Sequence, residues 1–98
     1  MELEDYEIEF EPEKNLWLRE NRGICFDDVL PLIDEGMWLS IYNHPRQDQY
    51  PGQKIMVFLI QQECYLVPFV ENNEDRKIFL KTLYPSRKAR KHYLKDRK

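Results

Sequence analysis

Apolar and polar residues alternate along much of this chain, and this pattern defines most of its predicted elements. The first stretch is residues 6–10, where tyrosine, isoleucine and phenylalanine are separated by glutamates. Such alternation predicts a β-strand with one solvent-facing side. Further strands are predicted at residues 37–42, 54–60, 64–70 and 77–84. Short links follow the third and fourth strands and favour antiparallel neighbours, and Pro68 indicates an edge or a bulge within its strand.

Three other segments predict helices. Pro12 occupies a first helical position with glutamates on both sides, and Gly23 ends the same segment. Asp27 is expected to cap a short second helix, and Ser86 a final one. The order strand, helix, helix, four strands, helix predicts one α+β domain over residues 1–98. We expect an antiparallel sheet of about four to five strands, with two N-terminal helices and one C-terminal helix gathered on one side.

The strand at residues 54–60 is apolar on both of its faces. Isoleucine, valine and leucine on one side alternate with methionine, phenylalanine and isoleucine on the other. Both faces therefore need to be covered. Either a partner protein or a second copy completes the structure, or the chain lays a helix across each face, and the periodicity alone does not choose between them.

The composition is that of a folded protein, with 42% hydrophobic and 13% aromatic residues among 98. No apolar run reaches the ~20 residues of a membrane span. Residues 1–5 carry three acidic side chains, unlike the basic start of a signal peptide, so a cytoplasmic location is expected. Cys25 and Cys64 are far apart without a C-x-x-C motif, which favours two small buried thiols over a redox pair, a zinc site or a disulfide framework.

The formal net charge of −3 hides two opposed ends. Residues 1–35 carry 12 acidic and 3 basic side chains, a balance of −9, and residues 36–75 carry 5 and 2, a balance of −3. Residues 76–98 carry 1 acidic and 10 basic side chains, a balance of +9. Each end creates its own local field. We expect the basic end to bind a phosphate-bearing ligand and the acidic end a basic one.

The final helix is the predicted phosphate-binding element. Ser86 and Arg87 stand at its N-terminus, where free N–H groups and a partial positive charge suit an anion. The same helix supplies the other candidates for RNA contact: Lys88, Arg90, Lys91 and Tyr93. An alternative is a solvated helix whose cations are favoured by the helix dipole. Tyr93, four residues after Ala89, either stacks on a base or donates a proton, or belongs to the core.

No motif for metal hydrolysis or nucleotide binding is present, so no metal or cofactor is expected. RNA cleavage by the 2′-hydroxyl needs only a base, cations and a proton donor. His44, in the loop after the second strand, is a candidate acid or base. It is equally well explained as a turn histidine that bonds its own backbone. Lys54 is a second acid–base candidate.

Two segments resemble a known family. FEPEKN at residues 10–15, followed by GICF at residues 23–26, is similar to the opening of BrnT-type toxins, which have F-D-P-x-K before the first helix and G-[VI]-x-F after it. IFLKTLYPSRKA at residues 78–89, followed by Tyr93, resembles the closing strand of that family and its S-x-K/R-x-A helix entry. These proteins are small ribonucleases of bacterial type II toxin–antitoxin pairs, related in fold to RelE. The resemblance implies an active surface on the sheet and an antitoxin bound over it.

The resemblance also assigns roles. Arginine follows the serine in both sequences, which makes Arg87 the expected clamp on the phosphate and transition state. Lys81, on the preceding strand, is expected as a second cation from its position and not from the resemblance. The predicted function is thus a metal-independent endoribonuclease toxin, with RNA as substrate and a cognate antitoxin as partner, in a homodimer or a hetero-oligomer. The predicted catalytic residues are Arg87, Lys81, His44 and Lys54.

Two alternatives remain. The family's usual K-H-G at the end of the first helix is Asn21-Arg22-Gly23 here, so a histidine of those toxins is missing. This favours a non-catalytic, toxin-like module that binds a partner protein or nucleic acid. A third hypothesis is a structural subunit that uses only an apolar face of the sheet.

Overall fold

The computed structural model describes residues 5–94, which form a mixed sheet of short strands with three helices. The strands are β1 (Glu7–Phe10), β2 (Ser40–Asn43), β3 (Gln53–Ile60), β4 (Glu63–Asn72), β5 (Lys77–Leu80) and β6 (Tyr84–Pro85). The helices are α1 (Pro12–Arg22), α2 (Phe26–Asp34) and α3 (Arg87–Leu94). The predicted α+β class and the three helices are confirmed, but the strand predicted at residues 77–84 is divided into β5 and β6, which gives six strands. Lys95, Arg97 and Lys98 of the basic end lie outside the described residues.

The sheet has the order β1-β5-β4-β3-β2, with β6 also paired to β4. The pairs β3–β4 and β4–β5 are antiparallel, as the short links predict, and β2–β3, which a longer loop connects, is antiparallel too. β1 instead runs parallel to β5, so the expectation of a purely antiparallel sheet is wrong. The reason is the path of the chain: β1 and β2 form opposite edges, and α1 and α2 connect them across the width of the sheet.

Local capping signals place the first two helices. α1 begins with Pro12 and ends at Gly23, whose φ of 69° is the left-handed conformation that glycine tolerates. Asp27 is not the cap of α2, contrary to the prediction: the helix already includes Phe26, and Cys25 is its N-cap, with its N–H donated to Asp28 Oδ2 at 2.9 Å. The N–H of Phe26 donates to the Asn15 side chain at 2.7 Å, so α1 satisfies one of the donors at the start of α2.

The face of the sheet covered by α1 and α2, the helix-pair face, holds the main core. Its thirteen buried residues come from both helices, from the turn between them, from three strands of the sheet and from the link after β5. They are Leu18, Ile24, Cys25, Phe26, Val29, Ile33, Met56, Phe58, Val67, Phe69, Ile78, Leu80 and Leu83. Burial of this many large apolar side chains is the dominant source of the stability of the fold.

The opposite face, the α3 face, has a smaller cluster. Ile55, Val57 and Leu66 are buried there, and Ala89 and Tyr93 of α3 pack against them. The helices therefore lie on both sides of the sheet, and the expectation that all three gather on one side is wrong. A helix or helix pair therefore packs against each apolar face of β3. Cys25 and Cys64 are buried thiols that form no disulfide.

A bulge opposite Pro68 joins β5 to β6. Three residues separate Leu80 from Tyr84, but only two separate their partners Phe69 and Leu66. The Pro68 carbonyl accepts the Lys81 N–H at 2.8 Å, but proline has no N–H to return, so the ladder breaks here. Pro68 therefore lies neither in an edge strand nor in a bulge of its own strand, contrary to the prediction, because β4 is an inner strand and the bulge is in the partner strand.

The described part of the chain contains no helix with the length and apolar character needed to cross a membrane.

Candidate nucleic-acid interface

The bulge determines which side of the sheet Tyr84 occupies. Because one extra residue shifts the alternation, Leu83 packs into the helix-pair core while Tyr84 packs on the α3 face. Arg22 of α1 donates a hydrogen bond to the Leu83 carbonyl, which holds the bulge against the helix. A break caused by Pro68 in β4 thus places a phenol beside α3.

Tyr84 belongs to a cluster of tyrosines on the α3 face. Burial raises the pKa of Tyr42 above the ordinary 10.0 of a phenol, and electrostatic interaction with Tyr84 and Tyr93 raises it further. Burial also raises the pKa of Tyr84, with a contribution from Tyr50 in the β2–β3 loop. The hydroxyls of Tyr42 and Tyr84 are therefore protonated at neutral pH and are able to donate hydrogen bonds to an anion.

His44 joins this cluster through an aromatic contact. Its ring centroid lies 4.4 Å from that of Tyr50. The backbone N–H of Arg46 donates to His44 Nδ1 at 3.0 Å, so the neutral ring carries its proton on Nε2. The bond to its own turn agrees with the alternative explanation for this histidine.

The β2–β3 loop that carries His44 is fixed by one side chain. Gln47 donates to the carbonyls of His44 and Gln53 at 2.8 and 3.0 Å, and it accepts the Gly52 N–H at 2.9 Å. These three bonds close the loop across its base. The loop therefore presents His44 and Tyr50 from a defined backbone.

The predicted N-cap of α3 is confirmed. Ser86 Oγ accepts the Ala89 N–H at 3.1 Å, and the Ser86 carbonyl accepts the Arg90 N–H at 3.0 Å. Arg87 is therefore the first residue of the helix and is exposed, as are Lys88 and Lys91. Within residues 5–94 these three cations make no ion pair with an acidic side chain.

Arg90 has a structural partner. Its Nε donates to the Gln62 carbonyl at 3.0 Å and lies 3.9 Å from a carboxylate oxygen of Glu63. The side chain thus connects α3 to the β3–β4 turn. Tyr93 likewise packs against the apolar cluster, as its core interpretation requires, and contacts the His92 ring edge-on at 4.8 Å.

The two remaining candidates lie elsewhere. Lys54 shares the helix-pair face with Met56 and forms a 2.9 Å ion pair with Glu71, so the sheet separates it from α3. Lys81 stacks its ammonium over the Phe79 ring at 5.3 Å and borders a groove with Lys14 and Trp17 of α1.

The distance between Lys81 and the start of α3 follows from the strand they both pair with. Lys81 bonds Pro68, and the Ser86 N–H bonds Cys64 at 2.9 Å. Four residues of β4 span about 13 Å. Arg87 and Lys81 are therefore separated along β4 and do not converge on a single point.

The tyrosines were the part of the site that sequence reasoning missed. The position of Tyr42 could have been predicted, because alternation along an edge strand places it on the same face as Ser40. Tyr84 and Tyr50 had none, because the bulge and the loop conformation decide their positions. No group of three or more potential metal ligands from His, Cys, Asp and Glu occurs within residues 5–94.

Comparisons with protein-family models, with curated proteins and with solved structures return no match for this chain. The resemblance to BrnT-type toxins accordingly depends on residues 10–26 and 78–93 alone.

Proposed function

We propose that this chain is a metal-independent endoribonuclease toxin of a type II toxin–antitoxin pair. The observation that carries the proposal is the composition of the α3 face, where Tyr84 and Tyr93 pack in one cluster beside Tyr42 and a basic helix supplies exposed cations. Exposed cations attract an RNA backbone, aromatic rings stack on bases, and protonated phenols donate to phosphate oxygens. These groups bind RNA and supply the cations and hydrogen-bond donors that stabilise a phosphorane in metal-free cleavage.

The reaction proposed is attack of a ribose 2′-oxygen on the adjacent phosphorus. The bond from phosphorus to the 5′-oxygen breaks, which gives a 2′,3′-cyclic phosphate and a 5′-hydroxyl end. Arg87 and the N–H groups at the start of α3 stabilise the negative charge of the phosphorane, and Lys81 holds the neighbouring backbone. Water takes the proton of the 2′-hydroxyl and returns one to the leaving 5′-oxygen. His44 has no step at this phosphorus, because its backbone N–H bonds Gln53 whereas the Ser86 N–H bonds Cys64, the partner of Leu59, and six residues of β3 span about 20 Å. Lys54 has no step in this scheme, because its ammonium is paired with Glu71 on the other face.

Arg87→Ala provides the direct test of this chemistry. The purified chain should cleave single-stranded RNA in the presence of EDTA and leave 2′,3′-cyclic phosphate ends. Loss of a transition-state donor should lower the rate by about a hundredfold or more. Arg76→Ala is the matched control, since Arg76 is an exposed arginine on the β4–β5 turn that contacts Asp5 and Tyr6. Equal rates for both variants would overturn the role of Arg87.

Growth assays test the biological role. Expression of the chain alone should arrest bacterial growth, and Arg87→Ala should relieve the arrest at equal soluble yield. Co-expression of an antitoxin encoded in the adjacent reading frame should restore growth to the active chain. The conformations of residues 10–15 and 86–89, at a strand-to-helix junction and a capped helix start, are compatible with the motifs of BrnT-type toxins.

A non-catalytic RNA-binding module is the second candidate. Arg22, where those toxins usually carry histidine, bonds the Leu83 carbonyl and thus has a structural role. RNA affinity that falls steeply with salt, without any cleavage, would favour this candidate. In that case Arg87→Ala should reduce the salt dependence of binding by about one counterion.

A further inference from the structure

Among residues 5–94, no strand pairs with the outer edge of β1. In the parallel ladder with β5, the Glu7 N–H donates to the Arg76 carbonyl at 2.9 Å. Backbone groups alternate in direction along a strand, so Glu7 and Glu9 bond inward while the N–H and C=O groups of Ile8 and Phe10 point outward. An edge of this kind is a template for a further strand.

An apolar groove lies directly beside this edge, on the helix-pair side. It has a volume of about 490 Å³ and runs between β1 and α2. Tyr6, Ile8, Leu30 and Ile33 supply its apolar lining, and Asp27 and Asp34 complete it. A strand added to β1 would direct every second side chain into this groove.

The other side of the β1 edge is acidic. Glu7 and Glu9 alternate with Ile8 and Phe10 and therefore face the α3 side, where both share Lys77 at 3.8 and 3.6 Å. Their side chains are 67% and 46% exposed, so one lysine does not neutralise them. Side chains of an added strand that point to this side would lie against the carboxylates of Glu7 and Glu9.

Taken together, the two sides specify the occupant. We propose that the β1 edge and its groove bind a strand of a partner protein in which apolar residues alternate with lysine or arginine. The apolar set fills the groove and the basic set lies against Glu7 and Glu9, while the backbone pairs with Ile8 and Phe10. A second copy of this chain does not fit, because β1 paired with β1 would bring glutamates together.

This proposal is independent of RNA cleavage, because no candidate catalytic residue lies on β1 or in the groove. The probe is a synthetic nine-residue peptide that alternates valine and lysine, titrated into the full chain. We expect saturable binding and slower amide exchange at Ile8 and Phe10, measured by nuclear magnetic resonance. The same peptide with glutamate in place of lysine should bind at least tenfold more weakly.

Two controls separate strand addition from charge attraction. A peptide N-methylated at the residues that face β1 retains its charge but cannot pair, and it should lose binding at least tenfold. The double variant Glu7→Lys, Glu9→Lys should lose the lysine peptide, whereas Asp48→Lys on the β2–β3 loop should keep it. Equal binding of the N-methylated peptide, unchanged exchange at Ile8 and Phe10, or dimerisation of the chain through β1 would each overturn the proposal.

Discussion

The two faces of the sheet differ in size and in chemistry. The helix-pair face buries thirteen residues, nearly all aliphatic or phenylalanine, under two helices. The α3 face buries three, and its remaining contacts come from half-buried tyrosines and a helix without any buried residue. The contrast indicates that the two faces have different roles. One face stabilises the fold, and the other has polar groups at its surface that are available to a ligand.

The way in which α3 is held explains this difference. An isolated helix of eight residues is marginal in water, so α3 depends on few contacts: the Ser86 cap, the Arg90 bond to Gln62, and the packing of Ala89 and Tyr93. Elements with few buried contacts open locally at low cost. We therefore expect that truncating a buried side chain lowers the free energy of unfolding less on the α3 face than on the helix-pair face.

Neighbouring residues on β3 test this contrast most strongly. Met56 faces the helix pair and Ile55 faces α3, and both are buried, at 0% and 2% exposure. Met56→Ala should lower the free energy of unfolding by about 4 kcal/mol, because its cavity is enclosed by packed helices. Ile55→Ala should cost about 2 kcal/mol, because α3 can settle into the space. Urea denaturation of both variants measures the difference.

Equal losses of unfolding free energy in Met56→Ala and Ile55→Ala would contradict this difference between the two faces. They would mean that α3 is held as firmly as α1 and α2. A larger m-value in the Ile55 variant than in wild type would indicate a change in the denatured state, and that variant would then be replaced by Ile55→Val.

Local signals in the sequence predict most of the elements. Pro12, Gly23 and Ser86 each act within one helical turn, and the structure places all three as predicted. Asp27 fails as a cap because the start of α2 is decided by Asn15, twelve residues earlier in the chain. The parallel pairing of β1 with β5 is also beyond local reasoning, since about seventy residues separate the partners.

The site was less predictable than the fold. Charge segregation and the serine cap locate the basic helix correctly, but they do not say which face of the sheet it covers. Strand parity would have separated Lys54 from α3, because Lys54, Met56 and Phe58 share a side. The position of Tyr84 depends on a one-residue bulge, and such a shift reverses every side chain after it.

Removal of the α3 cap should have a smaller effect than the core truncations. Ser86→Ala deletes the acceptor for the Ala89 N–H and should destabilise α3 by about 1 kcal/mol. Amides of α3 should then exchange about fivefold faster, while global unfolding in urea shifts less. Ser86→Asp is the control, since it keeps an acceptor at the cap. Unchanged exchange in the alanine variant would show that packing alone holds the helix.

The smallest effect, confined to alkaline pH, concerns the tyrosine cluster. The folded pKa values of Tyr42 and Tyr84 lie above the ordinary value of 10.0, so folding favours the neutral phenols. Their contribution to stability is fully present below pH 10.0 and is lost as the pH rises through the raised values. Phenolate absorbance should therefore show a late phase in the folded chain that Tyr42→Phe and Tyr84→Phe together remove. The urea-unfolded chain should lack this phase. If the phase also appeared there, packing on the α3 face would not be its cause.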